Sequence, residues 1–247
     1  MGKAEQYAPV DVVILTHVEF CSPGHLEAVL QREGVSFRIV RVHLGELAHL
    51  DFSEPKAVAV MGGPMSVNDP LPWLADEVAA LQFWIERGTP IIGHCLGGQL
   101  LAQALGAAVQ RMPHTEIGWH PVTRHPHAQN SPWLAHVADE FVVYQWHSDT
   151  FDIPAGATPL MASAHCANQG FAYGEHVLAL QGHPEMTESL FARWTRDWAD
   201  LIDPSQPSQQ SVEQQHHGLA SKLAALNHVA EGFYQRWLAL AFARCSA

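Results

Sequence analysis

Apolar residues fall into short unbroken runs, separated by stretches in which they recur every three or four positions. The first run, DVVILTH (Asp11–His17), reads as a strand buried on both faces. SPGHLEAVLQREG then reads as a helix, with Ser22 as N-cap, Pro23 at the first helical position and Gly34 as the C-terminal stop. Ser36–Val42 predicts a second strand, and Ala57–Met61 a third that ends in Gly62-Gly63-Pro64. LPWLADEVAALQFWIERG carries Leu74, Val78, Leu81 and Ile85 on one helical face and stops at Gly88. Pro90–Gly93 is a fourth strand, followed by a helix over Cys95–Leu105. Such alternation predicts an open, mostly parallel α/β sheet with helices on both faces, a three-layer arrangement. Ligands bind such sheets at the carboxyl ends of the strands, where both glycine clusters fall.

The middle of the chain changes period. IGWHPVTR, EFVVYQWH, PLMASA, GFAYG and VLALQG are short strand-like pieces split by turn residues, and they predict a small antiparallel addition. The last of them, Val177–Gly182, leads into HPEMTESLFARWTRDWADLI, where Leu190, Trp194, Trp198 and Leu201 predict one face of a closing helix. The expected organisation is a domain over 1–202, a polar linker or mobile loop over 203–216 (rich in Pro, Ser and Gln), and a C-terminal helical extension over 217–247. That last helix runs from Leu219 to about Arg244. Its apolar positions Leu219, Leu223, Leu226, Ala230, Phe233, Trp237 and Leu240 form a narrow seam. The seam suits packing on its own domain, a homodimer contact or an active-site cover.

Composition removes several classes. Hydrophobic residues make up 47% of the 247 positions and charged residues 15%, so the chain has ample core and is not globally disordered. Net charge is −12, and the 13 Lys and Arg are scattered, which argues against a nucleic-acid surface. No apolar run reaches the ~18 residues of a membrane span. The N-terminus has neither a basic leader with a cleavage site nor, with Gln6, a myristoylation signal, so a cytoplasmic location is expected. Cys21, Cys95, Cys166 and Cys245 show no CxxC spacing, and the 17 histidines form no HExxH or Cys/His zinc pattern. No metal or cofactor is expected.

The chemistry centres on Gly93-His94-Cys95-Leu96-Gly97, which matches G-x-nucleophile-x-G with cysteine in the serine position. A nucleophile on a tight strand-to-helix turn needs neighbours without bulk, and glycine two residues away on each side supplies that. At a helix N-terminus, free N–H groups favour the ionised sulfur, which is the reactive form. The N–H of Leu96 points where an oxyanion forms, and Gly63 at another strand end is placed to supply a second donor. A thiol nucleophile needs a base, and the base needs an orienting group. QGHPE supplies His183 and Glu185 just after a strand, two residues apart across Pro184. Alone, each piece has a structural reading: a core cysteine, a loop tripeptide. Together they satisfy the logic of an active site.

With these residues in place, the sequence resembles a class I, triad-type glutamine amidotransferase, from about Asp11 to Ile202. The resemblance rests on Gly62–Pro64, on GxCxGxQ over Gly93–Gln99, on YQWHSDTFDIPAGA from Tyr144, and on GHPE over Gly182–Glu185. Stand-alone proteins similar to the amidotransferase domain of GMP synthase look nearest, with a flavodoxin-like fold. The resemblance implies that Cys95 attacks the γ-carboxamide of glutamine, that His183 relays the proton, and that Glu185 orients His183. It implies that Gly63 and Leu96 hold the oxyanion, that Gln99 contacts substrate, and that backbone around Trp146, His147 and Ser148 grips the α-amino and α-carboxylate groups. His94 stands where many relatives carry an aliphatic residue, and its side chain is expected to point away from the site.

Family members usually feed ammonia to a synthase, and no phosphate-cradling loop follows Glu185. A separate synthase subunit is then one partner the resemblance allows, while the missing acceptor half raises the case for an enzyme that works alone. Three alternatives stand beside glutamine hydrolysis. One is a γ-glutamyl peptidase acting alone on peptides or conjugates. Another is a regulatory protein that retains the fold, and the last is acyl transfer onto a small alcohol.

Overall fold

Five of the apolar runs lie side by side and parallel in the computed structural model, which describes residues 9–243. In chain order the first elements are β1 (Val12–Thr16), α1 (His25–Arg32), β2 (Phe37–Arg41), β3 (Ala57–Val60), α2 (Pro72–Glu86), β4 (Ile91–His94) and α3 (Leu96–Ala104). β5 (Val109–Arg124), β6 (Glu140–Phe151), β7 (Thr158–Ser163), β8 (Gly170–Tyr173) and β9 (Val177–Leu180) follow, then α4 (Glu188–Asp197), α5 (Val212–His216) and α6 (Leu219–Ala243). Among the described residues they form one nine-stranded sheet in the order β2-β1-β3-β4-β9-β8-β7-β5-β6. β2, β1, β3, β4 and β9 are parallel, and β8, β7, β5 and β6 are antiparallel.

Alternation along the central strands builds two cores. Val12, Ile14, Ala59, Ile92 and Leu178 face a layer made by α1, α4 and α6. Val13, Leu15, Val58, Ile91 and Ala179 face α2 and α3. These strands are apolar throughout because each face is covered.

Four expectations are corrected. First, the antiparallel addition is not small: it holds four strands, including the 16-residue β5 and the 12-residue β6. Second, α1 starts at His25, with Gly24 as its N-cap at φ 53, so Ser22 and Pro23 belong to the approaching loop. Third, the helix after His183 ends at Asp197. Trp198 (φ −120) and the exposed Leu201 lie beyond it, in a non-α turn.

Fourth, the polar 203–216 segment is a pinned strap rather than a mobile linker. β5 pairs with β7 only over Val122–Arg124, which leaves its edge open at residues 115–119. The strap fills that edge. Ile117 N–H donates to Ser208 O (2.9 Å), and Gln210 N–H to Ile117 O (3.0 Å). The Gln210 side chain bonds both backbone groups of Trp119. Gln and Ser side chains thus serve as hydrogen-bonding partners for an unpaired strand.

The strap ends at Gln215, which is fully buried. Its side chain accepts from Tyr144 Oη (2.8 Å) and donates to Gln210 O (2.7 Å). α6 then returns across the sheet. It buries Leu223, Leu226, Val229, Ala230, Phe233, Tyr234 and Trp237, a face wider than the expected seam. Arg244, Cys245 and the extreme N-terminal residues read above lie outside the described residues. Among the described residues no helix is long and apolar enough to cross a membrane.

Gln215→Leu keeps the volume but leaves the Tyr144 hydroxyl and the Gln210 carbonyl unpaired in the interior. The expected cost is about 2 kcal/mol, read as a lower urea midpoint at unchanged slope.

Candidate active site

β4 passes through Gly93 and turns at Cys95 into α3. Cys95 has φ 50 and ψ −108, and among the described residues it is the one non-glycine with positive φ. Strain of this kind persists only where the surroundings over-determine it. Here Cys95 N–H donates to Leu180 O (2.8 Å), and the first helical bond runs from Gln99 N–H to Cys95 O (3.0 Å). Gly97 lets α3 press onto β3, since a Cβ there would lie 2.1 Å from Val60 O. The sulfur is buried, 3.9 Å from Trp146 O and 3.8 Å from Gln181 Nε2.

His183 and Glu185 leave the end of β9, beside β4. His183 N–H donates to Tyr144 O at 2.9 Å, which ties this segment to β6. Glu185 is fixed from α1: His25 N–H donates to Glu185 O at 2.9 Å, and a Cβ on Gly24 would fall 2.2 Å from that oxygen. The glycine start of α1 is therefore the seat of Glu185. Within this frame His183 Nδ1 donates to Glu185 Oε1 at 2.8 Å. The His183 ring packs edge-on against Trp194, with centroids 4.7 Å apart. Its Nε2 has no well-aligned hydrogen bond and interacts electrostatically with the Cys95 sulfur in the same cleft.

His94 does not point away from these groups, contrary to expectation. It shares the parity of Ile92, so it faces the α6 layer, fully buried. Its Nδ1 lies 3.0 Å from Glu185 Oε2, a close contact bent away from hydrogen-bond alignment. On the α6 side, its ring lies 5.9 Å from that of Tyr234. Strand alternation turns His94 beneath the nucleophile and onto the carboxylate.

Burial pulls the His183 pKa down, but the Glu185 carboxylate and the Cys95 sulfur outweigh it and push the value up to about 10. Burial acts to raise Glu185, yet His183 and then His94 hold it well below the usual carboxylate range. Cys21 also lines the cleft, and burial, with the charges of Cys95 and Glu185, pushes its thiol well up. It therefore stays protonated and makes a poor rival nucleophile.

The cleft has a volume of about 220 Å³. Gly63, Cys95, Gln99, Trp146, His147, Ser148 and His183 all line it. Leu96 is fully buried and its side chain is not part of the wall, and Glu185 sits behind His183. Gln99 Nε2 donates to Asp149 O at 3.3 Å. His147 is held from behind: its Nε2 lies 3.0 Å from buried Glu116, which also accepts from Ser163 and Gln169. The sequence reading missed Asp149 and Arg111, whose charged ends are 4.0 Å apart at the cleft. Asp149 lies inside the recognised block, one residue past the segment read as gripping substrate, whereas nothing around Arg111 in β5 marks it. Trp194, Trp198 and Leu201 were read as one helix face, yet they form a cleft wall.

An open α/β sheet carrying a cysteine elbow beside a His–Glu pair defines a class of protein. The chain belongs to the glutamine amidotransferase class-I family, whose model matches residues 25–198. It is 32% identical over 200 residues to the glutamine amidotransferase-like protein YfeJ of Salmonella typhimurium, an alignment covering 76% of this chain and 83% of that one. It is 34% identical over 145 residues to the glutamine-hydrolyzing GMP synthase of Thermomicrobium roseum, covering 58% of this chain but 25% of the synthase. The solved structure of a glutamine amidotransferase from Methylobacillus flagellatus superposes with a TM-score of 0.89 at 33% identity, covering 94% of this chain and 96% of that one.

Glu185 is the leading group that raises His183, so Glu185→Gln lets His183 release its proton at lower pH. An NMR titration of the imidazole is expected to move down from about pH 10. His94→Leu strips Glu185 Oε2 of its neighbour. It is expected to cost about 1–3 kcal/mol in denaturant unfolding.

Proposed function

We propose that this chain hydrolyses γ-glutamyl amides, glutamine first among them, through a thioester on Cys95. The observation that carries the reading is the strained Cys95 elbow sharing one cleft with His183, whose ring Glu185 holds at 2.8 Å. In this mechanism the Cys95 proton is transferred to His183, whose pKa is pushed up to about 10, before substrate reacts, and the thiolate then attacks the amide carbon. The carbonyl oxygen becomes an oxyanion held by the N–H groups of Gly63 and Leu96. His183 then protonates the departing nitrogen, the C–N bond breaks, and ammonia leaves a γ-glutamyl thioester. Water attacks that carbon and gives a proton to His183. The C–S bond breaks, glutamate leaves, and the sulfur returns as a thiolate beside the protonated His183. Glu185 stays ionised throughout and stabilises the imidazolium.

Asp149 and Arg111 present one charge of each sign at the cleft. They suit the α-ammonium and α-carboxylate of a glutamyl group, with Gln99 and the 146–148 backbone completing the grip. Similarity to a quarter of a GMP synthase supports delivery of ammonia to a separate synthase subunit. The partly exposed wall of Trp146, Trp198 and Leu201 favours a second reading, in which the leaving group is a larger amine and the chain is a γ-glutamyl peptidase.

Glutamine and γ-glutamyl dipeptides, assayed side by side for ammonia and amine release, separate these readings. Activity on either is expected to fall at least a thousandfold in Cys95→Ala. Turnover of dipeptides but never of glutamine selects the peptidase. No turnover of either, with iodoacetamide labelling Cys95 no faster than Cys166, sinks hydrolysis and leaves a fold-retaining regulator.

A further inference from the structure

The side chain after β1, His17, turns inward and is fully buried. Its Nε2 lies 2.9 and 3.0 Å from the two oxygens of Glu77 in α2, also fully buried. Its Nδ1 lies 3.2 Å from the carbonyl oxygen of Gly62. The ring stacks on Trp73 at 5.5 Å and 20°, which fixes its plane. An ionised carboxylate and a carbonyl are both acceptors only. A ring with a carbonyl at one nitrogen and a carboxyl group at the other is best satisfied with a hydrogen on both, which favours the imidazolium. Burial opposes that charge, but Glu77 outweighs it and raises the His17 pKa.

A buried ion pair is costly to assemble and is weak evidence for stability. What this one reaches is more informative. The Gly62 carbonyl and the Gly63 N–H belong to one planar peptide unit. A charged donor on the oxygen polarises the unit, makes its N–H a stronger donor and fixes the direction in which that N–H points. His17 also packs against the same loop, its Cβ 3.2 Å from where a Gly63 Cβ would stand. Gly63 lines the cleft beside Cys95.

We propose that His17, clamped by Glu77, is a positioning residue for hydrolysis: it orients and polarises the Gly62–Gly63 peptide so that the Gly63 N–H is aimed at the oxyanion before the substrate reacts. The proposal rests on the reading of Gly63 as an oxyanion donor. His17 acts through that peptide and touches neither sulfur nor substrate. Its loss therefore slows the acyl steps and leaves the reactivity of Cys95 intact.

Two variants separate charge from orientation. Glu77→Gln keeps volume and a hydrogen bond but removes the charge, and His17→Leu combined with Glu77→Leu removes both. With whichever γ-glutamyl amide the wild type turns over, kcat is expected to fall about tenfold in the first and roughly a hundredfold in the second, at nearly constant KM. Alkylation of Cys95 by iodoacetamide, a displacement at saturated carbon that forms no oxyanion, stays within about twofold. The Gly63 amide proton moves upfield in Glu77→Gln, which reports lost polarisation without any turnover. Unchanged kcat in a folded Glu77→Gln protein overturns the proposal, as does a loss of alkylation in step with kcat. A wild type that hydrolyses no γ-glutamyl amide fails earlier, at the proposed function itself.

Discussion

A carboxylate fully enclosed by protein must be compensated on every side, and Glu185 sets that requirement for this fold. His183 meets one oxygen and His94 approaches the other, while α1 holds the backbone from beneath through the His25 N–H. The compensation draws on the end of β4, the turn after β9 and the first residue of α1. None of these elements can shift without exposing or orphaning the charge. The same demand explains Gly24, since a side chain there would collide with the carbonyl that α1 anchors.

The nucleophile is held from the opposite layer. Cys95 keeps its left-handed backbone because α3 is pressed onto β3 on one side and its own N–H is tied to β9 on the other. The sheet therefore separates two tasks. Its α1/α4/α6 face carries the groups that hold the proton relay, namely His94, Trp194 and Tyr234. Its α2/α3 face carries the elbow helix and the Glu77 that holds His17, whose ring reaches the glycine loop. Cys95 sits at the seam between the two.

The central strands were legible because a strand covered on both faces is apolar at every position, a signal that survives without structural context. The elbow and the His-Pro-Glu turn were legible because their geometry restricts which residues fit. The strap was not, since Gln and Ser side chains that complete a strand edge have the composition of a solvated loop. His94 was misjudged because alternation predicts which layer a side chain enters but not what that layer contains. Glu77 drew no reading from the sequence, because only the fold brings it against His17, 60 positions away. Arg111 and Asp149 meet through the β5–β6 pairing, a register that no local pattern encodes.

The strap carries an implication for what constitutes a module here. The stretch matched by the family model closes at residue 198, before the strap begins. Yet Gln215 bonds the Tyr144 hydroxyl, and the Tyr144 carbonyl takes the N–H of His183. The backbone bearing the imidazole is thus braced by a segment outside the stretch that the family model matches. The stretch that carries the family pattern and the hydrogen-bonded framework that holds the imidazole therefore have different lengths in this protein.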